Sequence, residues 1–396
     1  MSRPLPFSKL AAAPFLAALL LLAPRVGAVA DTLPSSIPDR EFWTLSEQLS
    51  EPNGSFQSDN LLSNELSLST VATALATRVK PGGVYLGVGP EQNFTYIAAM
   101  RPKIAFITDI RRGNLHLHLM YKALFELSAD RAEFVSRLFT KPRPAGLTAQ
   151  STAADLMNAY WTIPTSDEQT YTRNLDAIYD VLSKTHGFPL NQTDRDGIAY
   201  VYHAFYWYGP SIHYTSTTSP ASVARPGTSY ADLMMTLDTA SRTERSYLHS
   251  EESFAFLKAL QAKNLVVPVV GDFAGPKALR AVGQYVKERG AVVSAFYVSN
   301  VESYLTRNGV WPAFCANVAT MPLDDTSVFI RPSMGGGVVS FVTRTGTATI
   351  TSSGAGTGTA TVTTYMPLTV PTSGVPSGRG TPFGAMATEV SGCVGK

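Results

Sequence analysis

Cysteine is nearly absent: Cys315 and Cys393 are the two in 396 residues. So few exclude a disulfide-dense scaffold, and by themselves they cannot make a zinc site. Charge is sparse and balanced, with 32 basic against 30 acidic residues and a formal net charge of +2. That balance argues neither for nucleic acid nor for an acidic surface as partner, and no nucleic acid is expected. No hydrophobic stretch beyond the N-terminal one is long enough to cross a bilayer, so no membrane span is expected in the mature chain. No Gly-x-Ser-x-Gly is present, so the usual serine-hydrolase elbow is missing. "GPEQN" lacks the Lys-Ser/Thr pair of a Walker loop.

Hydrophobic residues make up 44% of the chain, enough for a sizeable core. At the N-terminus, Arg3 and Lys9 precede the apolar "LAAAPFLAALLLLA", and "VGAVADT" follows with small residues at Ala28 and Ala30. This order predicts a secretory signal peptide over 1–30, cleaved after Ala30, and a secreted or periplasmic protein. The apolar stretch falls short of the roughly 20 residues a spanning helix needs, although a retained anchor is the alternative. No cysteine stands near the cleavage point, which argues against lipoprotein processing.

Short apolar runs alternate with helical patterns along 31–343. Strands are predicted at Val84–Leu86, Ile104–Thr108, Leu265–Val270 and Val292–Tyr297, and helices at Asp39–Leu49, Ser67–Arg78, Asn114–Ser128 and Pro276–Arg289. That alternation predicts a Rossmann-like α/β domain with a doubly wound, mostly parallel sheet. A helical insertion is expected at about 145–230, with two helices between Asp155 and Thr185. Within it, the aromatic "GIAYVYHAFYWYGPSIHY" reads either as a strand leading to a lid or as core. From 344 to 396 the chain becomes a Thr/Gly/Ser-rich tail, whose low complexity permits a hairpin or disorder.

The first strand ends in "GVGPEQN". Gly87 and Gly89 fall where a strand hands over to a helix, which lets backbone approach a ligand. Asp109 ends the next strand, where a carboxylate can accept ribose hydroxyls. The structural alternative is a tight turn, with Asp109 capping a helix that begins near Arg112. A dinucleotide fingerprint wants a glycine where Gln92 stands, so S-adenosylmethionine, which carries no phosphate, suits the turn better. Arg111 and Arg112 keep an NADP-like reading open.

Val84–Asn114 resembles the first βαβ unit of the class I S-adenosylmethionine-dependent methyltransferase superfamily. Over about 40–335 the chain is similar to a bacterial family called probable methyltransferase-like, through "FQSDNLLSNE", "YLGVGPEQNF", "FITDIRRGN", "SRLFTKPRPAGL", "VVGDFAGPKA", "FYVSNVESYL" and "ANVATMPLDDTSVFIRP". The resemblance implies a cofactor at the carboxyl ends of the first two strands. Gly87, Gly89, Pro90, Glu91, Gln92 and Asn93 would form its turn, with Asp109 and Ile110 beside them. It departs from the superfamily at Tyr85, where an acid is usual, and at Glu91, where a third glycine is usual. An Asn-Pro-Pro-Tyr signature is absent; "FYVSNVE" is a loose echo.

"SDNLLSNE" packs six polar residues into eight positions. It is read as turns and caps, or as a loop that closes over the ligand with Asp59 and Asn60. Asp272 ends a buried strand, and Tyr297, Asn300 and Glu302 follow the neighbouring one. These four are the candidate catalytic groups, since strand tips line the crevice of open α/β sheets; the alternative has Asp272 capping the Pro276 helix. His116 and His118 stand two apart on a helix and so point about 200° apart, which argues against a shared metal. In an exported chain Cys315 and Cys393 are expected to pair; otherwise Cys315 is a small buried hydrophobe. The functional expectation is a methyltransferase-like enzyme acting on a small molecule of unknown class. The alternative is an exported protein that keeps the fold for binding or scaffolding without turnover.

Overall fold

The computed structural model describes Met1 and residues 31–214, 216, 227–331, 340–351, 357–368 and 383–386, with backbone alone between 340 and 385. The expected signal peptide beyond Met1, and Cys393, lie outside the described residues. No described helix is long and apolar enough to cross a membrane.

Five strands build the parallel sheet: β1 (Val84–Val88), β2 (Ile104–Asp109), β3 (Val266–Val270), β4 (Val293–Tyr297) and β5 (Val328–Ile330). Their order is β3-β2-β1-β4-β5, all parallel, and β8 (Phe383–Ala385) adds antiparallel to β5. This is the doubly wound, Rossmann-like arrangement. Strands β1, β2 and β3 are buried at every residue, which is why they read as continuous apolar runs. Pro268 sits within β3 because β3 is an edge strand and need not donate there. That edge is covered by α1 (Asp39–Leu49): Ser46 Oγ donates to Pro268 O at 2.6 Å.

Helix α3 (Gln92–Met100) links β1 to β2, and α4 (Arg112–Leu127) leaves β2. Twelve residues of α4 are buried in an unbroken run from Asn114 to Phe125, because it packs on the sheet and on outer helices. Helices α5 (Arg131–Phe139), α6 (Ala153–Thr162), α7 (Glu168–Asp180), α8 (Gln192–Tyr208) and α9 (Tyr230–Met234) follow α4 in the chain, and α10 (Glu251–Ala262) then packs directly on α4. The aromatic stretch is therefore helix, not strand. Ile198, Val201, Tyr202 and Phe205 bury one face of α8 while Trp207 stays exposed. A 3.6-residue period beats β-propensity once one aromatic face has a core to enter.

On the other side of the sheet, α11 (Ala278–Glu288) buries Leu279, Val282 and Val286 and packs on α1 and α13 (Trp311–Val318). Helix α12 (Val301–Arg307) follows β4. Helix α2 (Leu68–Arg78) precedes β1 and packs on α3. In the tail, β6 (Ser340–Thr351) and β7 (Thr357–Leu368) pair as an antiparallel hairpin. Cys315 is buried in α13 and is not a free thiol.

Candidate functional site

The strand order reverses between β1 and β4, so the carboxyl ends of β1, β2 and β4 frame the crevice where such sheets take ligands. Gly89 turns the chain there with φ +73°, a left-handed conformation that favours glycine. A Cβ on Gly89 would stand 4.0 Å from Asp109 Oδ2, so the two expected ligand positions do face each other. The inner side of the turn is filled. Asn93 Nδ2 donates to Val88 O, Gly89 O and Pro90 O at 2.9, 3.3 and 2.6 Å, and Tyr85 Oη donates to Asn93 Oδ1 at 2.8 Å. Tyr85 thus orients the amide that holds the turn, and Gly87 is required because a side chain there would strike Asn93.

Residues 50–67, between α1 and α2, form a strap that runs across the strand tips. At β3, the Glu51 amide donates to Val270 O at 2.7 Å. Its carboxylate accepts from the amides of Asp272, Lys277 and Ala278 at 3.1, 2.8 and 2.8 Å, serving as a remote cap for α11. At β2, Gly54 N–H donates to Ile110 O at 2.9 Å, and Asn53 Oδ1 caps Arg112 N–H at 2.7 Å. At β1 and β4, Glu65 accepts from Tyr297 Oη, Ser299 Oγ and Gln92 Nε2 at 2.8, 2.6 and 3.0 Å. Burial pushes the Glu65 carboxyl above its usual range despite those three donors. Ser63 N–H donates to Glu91 Oε1 at 3.3 Å, and its hydroxyl meets Gln92. The switch point between β1 and β4 is therefore filled by the chain's own Glu65.

Around β2 the accounting is incomplete. Asp109 is 4% exposed; its Oδ1 accepts Arg111 N–H at 2.9 Å, and Arg111 Nε lies 3.5 Å away without a hydrogen bond. Burial raises the Asp109 carboxyl, opposed by Arg111. Arg111 Nε and Nη2, Asn60 Oδ1 and Asn114 Oδ1 are buried without a partner. So are His118 Nδ1, Glu91 Oε2 and Tyr121 Oη. His118 meets Gly89 O through Nε2 at 2.9 Å, and Asn114, four residues before it on α4, shares its side of the helix. Burial holds the His118 imidazole down at about 4 and pushes the Glu91 carboxyl up to about 8. Unpaired buried polar groups cost about 1–3 kcal/mol each, so a cluster of them calls for a partner.

The four candidate catalytic residues do not converge. Tyr297 joins the Glu65 network. Asp272 closes its own turn, accepting Ala274 N–H at 2.9 Å. Glu302 is paired with Arg331 at 2.5 and 2.7 Å. Asn300 is the N-terminal boundary residue of α12 and caps it with no side-chain bond. Asp59 accepts Tyr200 Oη at 2.6 Å and lies 4.0 Å from Arg111 Nη1.

Sequence reasoning missed the partner of His116. Its Nε2 lies 3.0 Å from Asp194 Oδ1, which also accepts Arg112 Nε at 2.8 Å. Hydrogen bonds from His116 and Arg112 offset the burial of Asp194 and bring it down to about 2. A cleft of about 260 Å³ opens here between the strap, α4 and α8, with Phe56, Asp59, Arg111, His116, Gly197 and Tyr200 on its walls. Asn191 followed by Asp194 is a legible capping box; that Asp194 also reaches 78 residues back to His116 is not legible.

No curated protein is significantly similar to the chain. A family model described as a domain of unknown function (DUF7790) matches residues 61–188 and 223–353, leaving out the strap's first half and α8, and the chain belongs to that family.

Proposed function

We propose that the protein binds a small nucleoside-type molecule at the tips of β1 and β2, and does so without turnover while the strap is in place. The observation that carries this is the set of unpartnered polar atoms on Asn60, Arg111 and Asn114 about the facing pair Gly89 and Asp109. Ribose hydroxyls would donate to Asp109, and a purine or sugar edge would meet the amides. S-adenosylmethionine, the cofactor the sequence resemblance implies, fits this half of the crevice through Asp109 and Gly89. Its methionine half does not fit, because Asn93 already takes the carbonyls of Val88, Gly89 and Pro90 and Glu65 fills the switch point. A strap so anchored favours binding over methyl transfer.

Calorimetry with S-adenosylmethionine, S-adenosylhomocysteine and NADP tests the reading. At least one should bind, and Asp109→Asn should weaken it at least tenfold, about 1.4 kcal/mol. Heat from none of the three sinks the proposal. Steady formation of S-adenosylhomocysteine from S-adenosylmethionine would replace binding by turnover.

A further inference from the structure

The cleft between the strap, α4 and α8 adjoins the strand-tip crevice and shares Arg111 with it. Arg112 and His116 both bond Asp194 Oδ1, and in the neutral imidazole this carboxylate favours the tautomer with its proton on Nε2. Nδ1 is left as an acceptor, and no hydrogen bond to it is found among the described residues. It lies directly against Gly197, where a Cβ would collide with it, and both residues line the cleft. In the same cleft, Arg111 Nη1 is 4.0 Å from Asp59 Oδ1, beyond a hydrogen bond. A Cβ on Gly113, also in the wall, would be 3.6 Å from that nitrogen. One cleft thus presents a ring nitrogen without a partner and a cationic donor.

We propose that this cleft binds a small hydroxylated carboxylate, its hydroxyl donating to His116 Nδ1 and its carboxylate accepting from Arg111 Nη1. A plain anion offers only acceptors and would leave Nδ1 facing a lone pair. An ammonium group would sit beside Arg111 and is disfavoured by its charge. A doubly charged phosphate would face Asp59 as well, so a single negative charge suits the walls better. The volume of about 260 Å³ lies below the range for drug-sized ligands and has room for a small hydroxy acid.

The probe is D-glycerate, with propionate (no hydroxyl) and glycerol (no charge) as controls. Calorimetry should show glycerate binding at least fivefold more tightly than either control, and glycerate should move the His116 Nδ1 resonance in ¹⁵N-histidine NMR. Gly197→Ala should weaken glycerate at least tenfold. Alanine suits a helix interior better than glycine, so a lowered melting temperature in this variant would come from the collision with His116, and it is read beside the affinity. His116→Asn should abolish the preference for glycerate over propionate. Asp272→Ala, outside the walls of the cleft, should leave glycerate binding intact, which separates a loss at the cleft from a general loss of the fold. No glycerate binding, equal binding of a control, or full binding in Gly197→Ala would each overturn the proposal.

Discussion

Asp109 and Asp272 stand at the carboxyl ends of adjacent parallel strands, and in sequence they look alike: an apolar run, an aspartate, then a helix. In the fold their surroundings diverge. The β3 tip is closed: Asp272 caps its own turn, and the Glu51 carboxylate satisfies three amides there. Beside the β2 tip, Arg111, Asn60 and Asn114 keep buried polar atoms without partners. An acid at a strand tip is thus not a site by itself. What marks a site is whether the polar groups around it are already satisfied by the chain.

The largest expected effect opens the closed tip. Glu51→Ala removes the acceptor of three amides, at an expected cost of about 3 kcal/mol. Urea unfolding measures it, and an unchanged midpoint would mean that water replaces the carboxylate and the β3 tip is no more closed than the β2 tip. Asn53→Ala, with one amide to lose at α4, should cost less than half as much.

Next comes pH, where the open tip should declare itself. Glu91 has its carboxyl raised from 4.5 to about 8, so between those values the folded state holds a proton the unfolded chain has released. Stability from this group is full below about 4.5 and falls as pH rises to about 8. His118 is lowered from 6.5 to about 4, so the unfolded chain binds the extra proton between those values and stability rises with pH there. The two slopes oppose each other up to about 6.5 and leave Glu91 alone above it. From pH 6.5 to 8 the parent should lose about 2 kcal/mol relative to Glu91→Gln. Parallel stability curves for the two proteins would refute a carboxyl buried with one oxygen unpaired.

Gly89→Val places a β-branched side chain at φ +73°, with an expected cost of about 1–2 kcal/mol and loss of any ligand that approaches Asp109. Melting temperature and calorimetry read the two parts separately. A variant that melts lower yet binds normally would show that the turn is structural only. The smallest effect is expected from Asp272→Ala, about 1 kcal/mol for one turn hydrogen bond, with no change in ligand affinity. If that variant weakens a ligand as much as Asp109→Asn does, the contrast between the two tips fails.

Much of the fold was legible, because hydrophobic period is a local property. The runs at 84–88, 104–109, 266–270 and 293–297 are apolar since a parallel strand is covered on both faces. β5 has three residues and escaped notice, being too short to show a period. Of the two readings open for the aromatic stretch, core holds for one face of α8 and strand does not, since aromatic residues favour strands until one of their faces finds a core.

By itself the sequence determined the alternation of strand and helix, the glycine turn after β1 and the acid after β2. These depend on residues a few positions apart. Only the tertiary structure decided that Glu51 would cap a helix 226 residues later, that Glu65 would fill the switch point between β1 and β4, and that Asp194 would meet His116. A carboxylate carries no record of its partner in the sequence around it. The chain topology brings the strap over the strand tips, and burial there makes a hydrogen bond obligatory wherever a polar group has lost its water.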